Sequence, residues 1–112
     1  IDVLFIEDLC NLILKQIKSF NVFKNNAFCV GGGIKNSTNL KNLTKICEQI
    51  TNNRVKISEN INTSIYDIPY YVTSLKKIKK FTKWEPKIGL HEGLEATYNW
   101  MKKNQSKIRK FF

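Results

Sequence analysis

The sequence is poor in the residues that build metal and nucleophile sites. It holds one histidine, His91, and three cysteines, Cys10, Cys29 and Cys47, with no C-x-x-C pair. A structural zinc site takes four ligands, usually in closely spaced pairs, so no metal centre is expected. Each cysteine lies in an apolar stretch. Their spacing and odd number point to free, buried thiols in a reducing compartment. His91 stands beside Glu92 in the first turn of a helix, where a surface or packing role is expected. Long apolar runs are also absent. None approaches the ~18 residues a bilayer-spanning helix requires. There is no initiating Met, no basic leader and no apolar leader core. The chain opens on Ile1-Asp2-Val3 inside a strand-like run, which is expected to be a fragment boundary, and its location is expected to be cytoplasmic.

Arginine is scarce too. Of nineteen basic residues, only Arg54 and Arg109 are Arg, against a net charge of +10. Nucleic-acid recognition leans on the bidentate guanidinium fork. The lysine runs Lys76-Lys77-Ile78-Lys79-Lys80 and Lys102-Lys103 to Lys110 are interleaved with apolar positions at helical spacing, which puts the lysines on solvated faces. No nucleic-acid partner and no membrane partner are expected. A small basic interaction or nucleic-acid-binding domain remains the alternative of another class.

What is present is one domain's worth of sequence, 112 residues, 42% hydrophobic and 25% charged. Strand-like apolar runs alternate with amphipathic ones. Val3-Leu4-Phe5-Ile6 has the pattern of a doubly buried strand. Asp8 follows as a helix cap, and Leu9, Leu12, Ile13, Ile17 and Phe20 share a helix face. Ala27-Phe28-Cys29-Val30 is a second short strand, closed by Gly31-Gly32-Gly33. Caps between Asn36 and Asn39 lead into a helix with Leu40, Leu43, Ile46, Cys47 and Ile50 on one face, stopped at Thr51-Asn52-Asn53. Val55-Lys56-Ile57 alternates like a strand edge, and Glu59 to Tyr66 is a loop. Tyr70-Tyr71-Val72 reads as a strand. Ser74 caps a helix carrying Leu75, Ile78 and Phe81, which Trp84 and Pro86 end. After Gly89 a last helix carries Leu90, Leu94, Thr97, Tyr98 and Met101. Residues 105–112 form a basic tail expected to fray. The alternation predicts the α/β class.

Two motif-like features need weighing. Gly31-Gly32-Gly33-Ile34-Lys35-Asn36 follows a strand and precedes a helix, the place for a phosphate loop. It lacks the third glycine of G-x-G-x-x-G and the Lys-Ser/Thr of a P-loop, and a turn leaving a strand needs glycine anyway. Tyr98 and Lys102 fit Y-x-x-x-K. The apolar period puts Tyr98 on a buried helix face, and no dinucleotide loop precedes it, so the match reads as coincidence.

The ordered set DVLFIEDL, NNAFCVGGGIKNSTNL and DIPYYVTSLKKIKKFTKWEPKIGLHEGLEATYNW resembles, from Asp2 to Asn104, the C-terminal part of the extended short-chain dehydrogenase/reductases. Within them it is most similar to the nucleotide-sugar epimerases, and the Ala27–Ser37 pattern leans toward the type that inverts C2 of a CDP-linked dideoxyhexose. That resemblance implies the last strands of a Rossmann-type parallel sheet plus a small substrate-binding lobe. It implies NAD, held mainly by an upstream portion that also carries the catalytic Tyr and Lys. No catalytic residue and no cofactor contact is expected within these residues. A nucleotide-sugar substrate is implied, with Tyr71 toward the sugar, Asp67 orienting its loop and Lys35 standing in as a looser cation. The full-length protein is implied to be a homodimer. Ile1 and Ser64 occupy positions where the family usually has Arg, and Ser74 replaces its usual Asp. A UDP- or dTDP-sugar 4-epimerase or 4,6-dehydratase is the alternative within the family.

Overall fold

The computed structural model describes residues 1–58, 66 and 68–110. It divides into two units, one of Ile1–Thr38 with Tyr70–Leu90, the other of Asn39–Pro69 with His91–Phe112. Asp67 and Ser64 lie outside the described residues.

The first unit holds α1 (Ile6–Lys18), α2 (Phe20–Phe23), a 3-10 turn at Ile34–Asn36 and α4 (Lys76–Thr82). Glu7 and Asp8 in its first turn and Lys15 and Lys18 in its last set α1 along its own dipole. The helix begins at Ile6, earlier than the sequence pattern suggests, after an extended Phe5 that makes no side-chain cap. Asp8 is therefore not a cap. It lies buried in the first turn, where its Oδ2 accepts the backbone N–H of Lys87 at 3.1 Å and of Ile88 at 2.9 Å. Two amide donors in a desolvated place hold a carboxylate more firmly than a solvated helix end does.

That contact sets the roll of the helix. Asp8 and Leu12 are one turn apart on the same face, and Leu12 enters the core while Ile13, Ile17 and Phe20, expected beside it, stay exposed. The core joins Leu12, Phe23, Ile78 and Trp84, with Leu4, Phe28, Val30 and Leu75 packed against it. Phe28 meets Phe23 and Phe81 edge-on, with centroids 5.6 and 6.0 Å apart.

Among the described residues, the runs expected as strands at residues 3–6, 27–30, 55–57 and 70–72 form no ladder. A strand takes its hydrogen bonds from a neighbour. The pairing found is a single antiparallel bridge between Asp2 and Ser37, flanked by Val3 N–H to Asn36 O at 3.0 Å and Thr38 N–H to Ile1 O at 2.8 Å. Leu4, Phe28 and Val30 use their apolar character in side-chain packing instead.

α4 starts after Leu75, which makes no side-chain cap; Ser74 is exposed and is not the N-cap. Its end is fixed more firmly. Thr82 Oγ1 donates to Ile78 O at 2.7 Å and accepts from Trp84 N–H at 3.1 Å. Lys83 turns left-handed at φ 57°, and Trp84 drops into the core.

In the second unit, Asn39 caps α3 (Leu40–Thr51) by accepting Asn42 N–H at 2.8 Å, and Asn52 ends it at φ 52°. Leu43, Ile46, Cys47 and Ile50 form its half-buried stripe. α5 (Leu90–Lys103) half-buries Leu94 and Tyr98 and buries Gly93, whose carbonyl accepts Thr97 Oγ1 at 2.8 Å. A short α6 (Gln105–Ile108) follows. The cysteines are free, but Cys10 and Cys29 are exposed and Cys47 is half-buried, which corrects the expectation of buried thiols. Cys10 rides the uncovered side of α1, and Cys29 lies between the packed Phe28 and Val30. Among the described residues no helix is long and apolar enough to cross a membrane.

Candidate functional site

One cleft of about 700 Å³ opens in the first unit. Gly32–Asn36 forms one wall, Val72–Lys76 with Lys79 a second, and Glu85–Gly89 the third, and Tyr70 joins the lining. Its volume falls within the ~300–1,000 Å³ of small-molecule sites.

The walls are tied down by the buried side chains of Asp8 and Asn36 and the half-buried one of Asp2. Asp8 fixes two N–H groups of the third wall, and the Asn36 side chain donates to the Ile88 carbonyl at 3.0 Å. Asp2 fixes the first wall to the second. Its Oδ2 accepts Gly33 N–H at 2.8 Å and its Oδ1 accepts the Thr73 hydroxyl at 3.4 Å. Burial pushes the Asp2 carboxyl up, but hydrogen bonds from the Gly33 amide, the Thr73 hydroxyl and the backbone of Thr73 and Asp2 outweigh it and hold the group below its ordinary value.

The lining is basic. Lys35, Lys76, Lys79 and Lys87 stand against a single carboxylate, Glu85. Lys79 pairs with Glu85. The hydrogen bond from Lys79 and then its charge lower the Glu85 carboxyl, with the charge of Lys35 adding a smaller pull against slight desolvation. Such a cleft can hold an anion with compact ammonium charges.

Of the residues singled out in the sequence, Lys35 lines this cleft. Tyr71 is 54% exposed and not part of the lining, which its neighbour Tyr70 joins instead. Asp67 lies outside the described residues. The sequence pattern marks Asp8 and Asn36 only as possible helix caps, Asn36 by its place just after the glycine run, and gives no sign of Lys87.

The glycine run does not fit a dinucleotide pyrophosphate. A Cβ on Gly32 would stand 2.0 Å from Val3 O, and Gly33, at φ 68°, already gives its N–H to Asp2. The run is closed on the chain's own atoms, and an internal carboxylate takes the place a phosphate would need. Tyr98 is half-buried and Lys102 exposed on α5. Among the described residues no cluster of His, Cys, Asp and Glu is placed to hold a metal.

Two curated relatives match nearly the whole chain. CDP-paratose 2-epimerase of Salmonella typhi is 31% identical over 99 residues, 88% of this chain and 29% of that protein. UDP-glucuronate 4-epimerase of Thermodesulfobacterium geofontis (strain OPF15) is 30% identical over 108 residues, 96% of this chain and 32% of that protein. The chain thus spans about a third of the length of the curated relatives it matches. Both are, by name, epimerases of nucleotide-linked sugars, and that is the class to which the similarity points. No protein-family model matches the chain.

Proposed function

We propose that this chain is the C-terminal, substrate-binding portion of an NAD-dependent nucleotide-sugar epimerase of the extended short-chain dehydrogenase/reductase type. Its fold would be the late part of a Rossmann-type α/β unit with the small substrate lobe. The reaction would invert C2 of a CDP-linked dideoxyhexose through a keto intermediate. The observation that carries this reading is the 31% identity to CDP-paratose 2-epimerase across 88% of the chain. The basic cleft supports it, since a nucleotide-sugar presents two phosphates to whatever binds it. The glycine run is closed on the chain's own atoms, and this reading places NAD elsewhere in the whole protein.

The 30% identity to UDP-glucuronate 4-epimerase over 96% of the chain favours a second reading, inversion at C4 of a UDP-linked sugar. Nucleic-acid binding has less support. In the lysine run of α4, Lys77 stands over the Phe28 ring at 5.2 Å and donates to Ala27 O, and Lys79 pairs with Glu85.

Incubating the full-length protein with CDP-paratose and, separately, with UDP-glucuronate tests both. Product NMR should show inversion at C2 of the first. Inversion at C4 of the second alone would transfer the assignment, and turnover of neither would end both assignments.

A further inference from the structure

The last turns of α5, in the second unit, carry a surface that the packing of that unit does not account for. Trp100 and Met101 stand seven residues after Gly93 and Leu94, so they continue, two turns on, the side of the helix that buries Gly93 and half-buries Leu94. The covering stops there. Trp100 is 60% exposed and Met101 47%. Around the helix axis Lys103 falls beside Trp100 and Lys102 beside Met101, so the apolar pair has a lysine on each flank. The basic character runs on through α6 and past it, with Lys107, Arg109 and Lys110. From Ala96 to Lys110 the sequence holds five cations and no carboxylate. All five are exposed, and among the described residues none is paired with an acid. One or two lysines in a last turn serve the helix dipole. Five, with an uncovered tryptophan and methionine among them, exceed what the dipole uses.

We propose that the segment from Trp100 to Lys110 docks the protein on an anionic lipid surface. Such a surface is negatively charged outside and apolar just beneath, and a small apolar patch rimmed by lysines is its complement. The lysine stems lie along the boundary between headgroups and acyl chains while their ammonium groups reach the lipid phosphates. The Trp100 ring sits at headgroup level, with its indole N–H toward the wet side. Four of the five cations are Lys, point charges suited to a diffuse array of phosphates, whereas nucleic-acid recognition leans on the guanidinium fork. The sequence pattern alone puts these lysines on a solvated face. The exposed apolar pair between Lys102 and Lys103 is what the structure adds. The inference goes beyond the nucleotide-sugar reading and does not rest on it.

Flotation of the full-length protein with vesicles of phosphatidylcholine alone, and of phosphatidylcholine mixed with phosphatidylglycerol, tests it. The protein floats with the mixed vesicles and not with the neutral ones, and the attachment weakens steeply as salt is raised. Lys102→Gln with Lys103→Gln weakens it by roughly thirtyfold, the loss of two cations close to the surface. Trp100→Ala weakens it by roughly tenfold, a loss that attraction between charges alone would not produce. Lys41→Gln with Lys45→Gln makes the same change of charge on α3 of the same unit and leaves attachment unchanged. All five positions are exposed, and circular dichroism confirms that each variant folds. Failure to float with the mixed vesicles overturns the proposal. So does an equal loss with the α3 pair, which would mark bulk charge, or attachment that ignores Trp100→Ala. A mixed-sequence single-stranded RNA is titrated alongside. RNA binding that depends on Lys102 and Lys103 and is tighter than vesicle binding also overturns the proposal and assigns the surface to nucleic acid.

Discussion

Asp8 Oδ2 lies 2.9 Å from the amide nitrogen of Ile88, eighty positions along the chain, and the same oxygen takes the N–H of Lys87. Asp8 is 2% exposed. One side chain thereby joins the first turn of α1 to the segment that follows Trp84 and Pro86, and fixes a wall of the basic cleft. Asp8→Ala leaves two amides without their partner in a place poorly reached by water, and should cost about 3 kcal/mol of stability. Asp8→Asn keeps an acceptor oxygen but loses the charge, and should cost about 1–2 kcal/mol. Urea denaturation of the two variants checks the order. Equal losses would show that the acceptor geometry, and not the charge, carries the contact.

The same residue shows where sequence reasoning stops. An Asp just before an amphipathic run is read as a helix cap, because the pattern sees only near neighbours. Its partners at Lys87 and Ile88 are too distant for any local period to reveal. The face of α1 went astray for the same reason, since Asp8 rolls Leu12 inward and leaves Ile17 70% exposed. Helices governed by local rules were legible. α3 begins at the Asn39 cap and ends at Asn52, and α4 ends before Trp84, as their spacing and stop residues imply. The apolar runs told of burial, but could not say whether the backbone had a strand to pair with. In the cleft, Lys35 was within reach of sequence reasoning. The choice between Tyr70 and Tyr71 depends on which of two adjacent exposed aromatics borders the cleft.

Asp2 makes stability depend on pH at the acid end. Its carboxyl is held below the ordinary value of 3.8 in the folded chain. A depressed folded value contributes stability that is fully present above the unfolded value, and that is lost as pH falls through the folded one. The wild-type urea midpoint should therefore fall below about pH 4 more steeply than that of Asp2→Asn, with the two curves running parallel above about pH 5. Parallel curves through the acid range would show that Gly33 and Thr73 do not favour the ionised form.

Glycine and lysine make opposite cases in the backbone. A Cβ at Gly32 would fall 2.0 Å from the carbonyl oxygen of Val3, a backbone atom that cannot swing aside. Gly32→Ala should cost about 2–3 kcal/mol, the scale of overpacking a tight site. Lys83 holds φ 57° with a Cβ that this conformation disfavours, by about 1 kcal/mol. Lys83→Gly should leave stability unchanged or raise it by up to about 1 kcal/mol, because relief of strain outweighs glycine's extra freedom when unfolded. A denaturant midpoint below wild type for Gly32→Ala, and one at or above it for Lys83→Gly, are the expected results.

The thiols provide a check that needs no substitution. Cys10 and Cys29 are exposed, whereas Cys47 is half-buried on the apolar stripe of α3. A thiol reacts through its thiolate, and its rate falls when neighbours block approach of the reagent. Under native conditions a chromogenic disulfide reagent should titrate two thiols quickly and the third at least roughly tenfold more slowly. In denaturant all three should react in one phase. Mass mapping of the slow thiol to Cys47 would support the placement of α3, whereas a slow Cys29 would mean that the Phe28–Val30 segment is covered more deeply than its exposure implies.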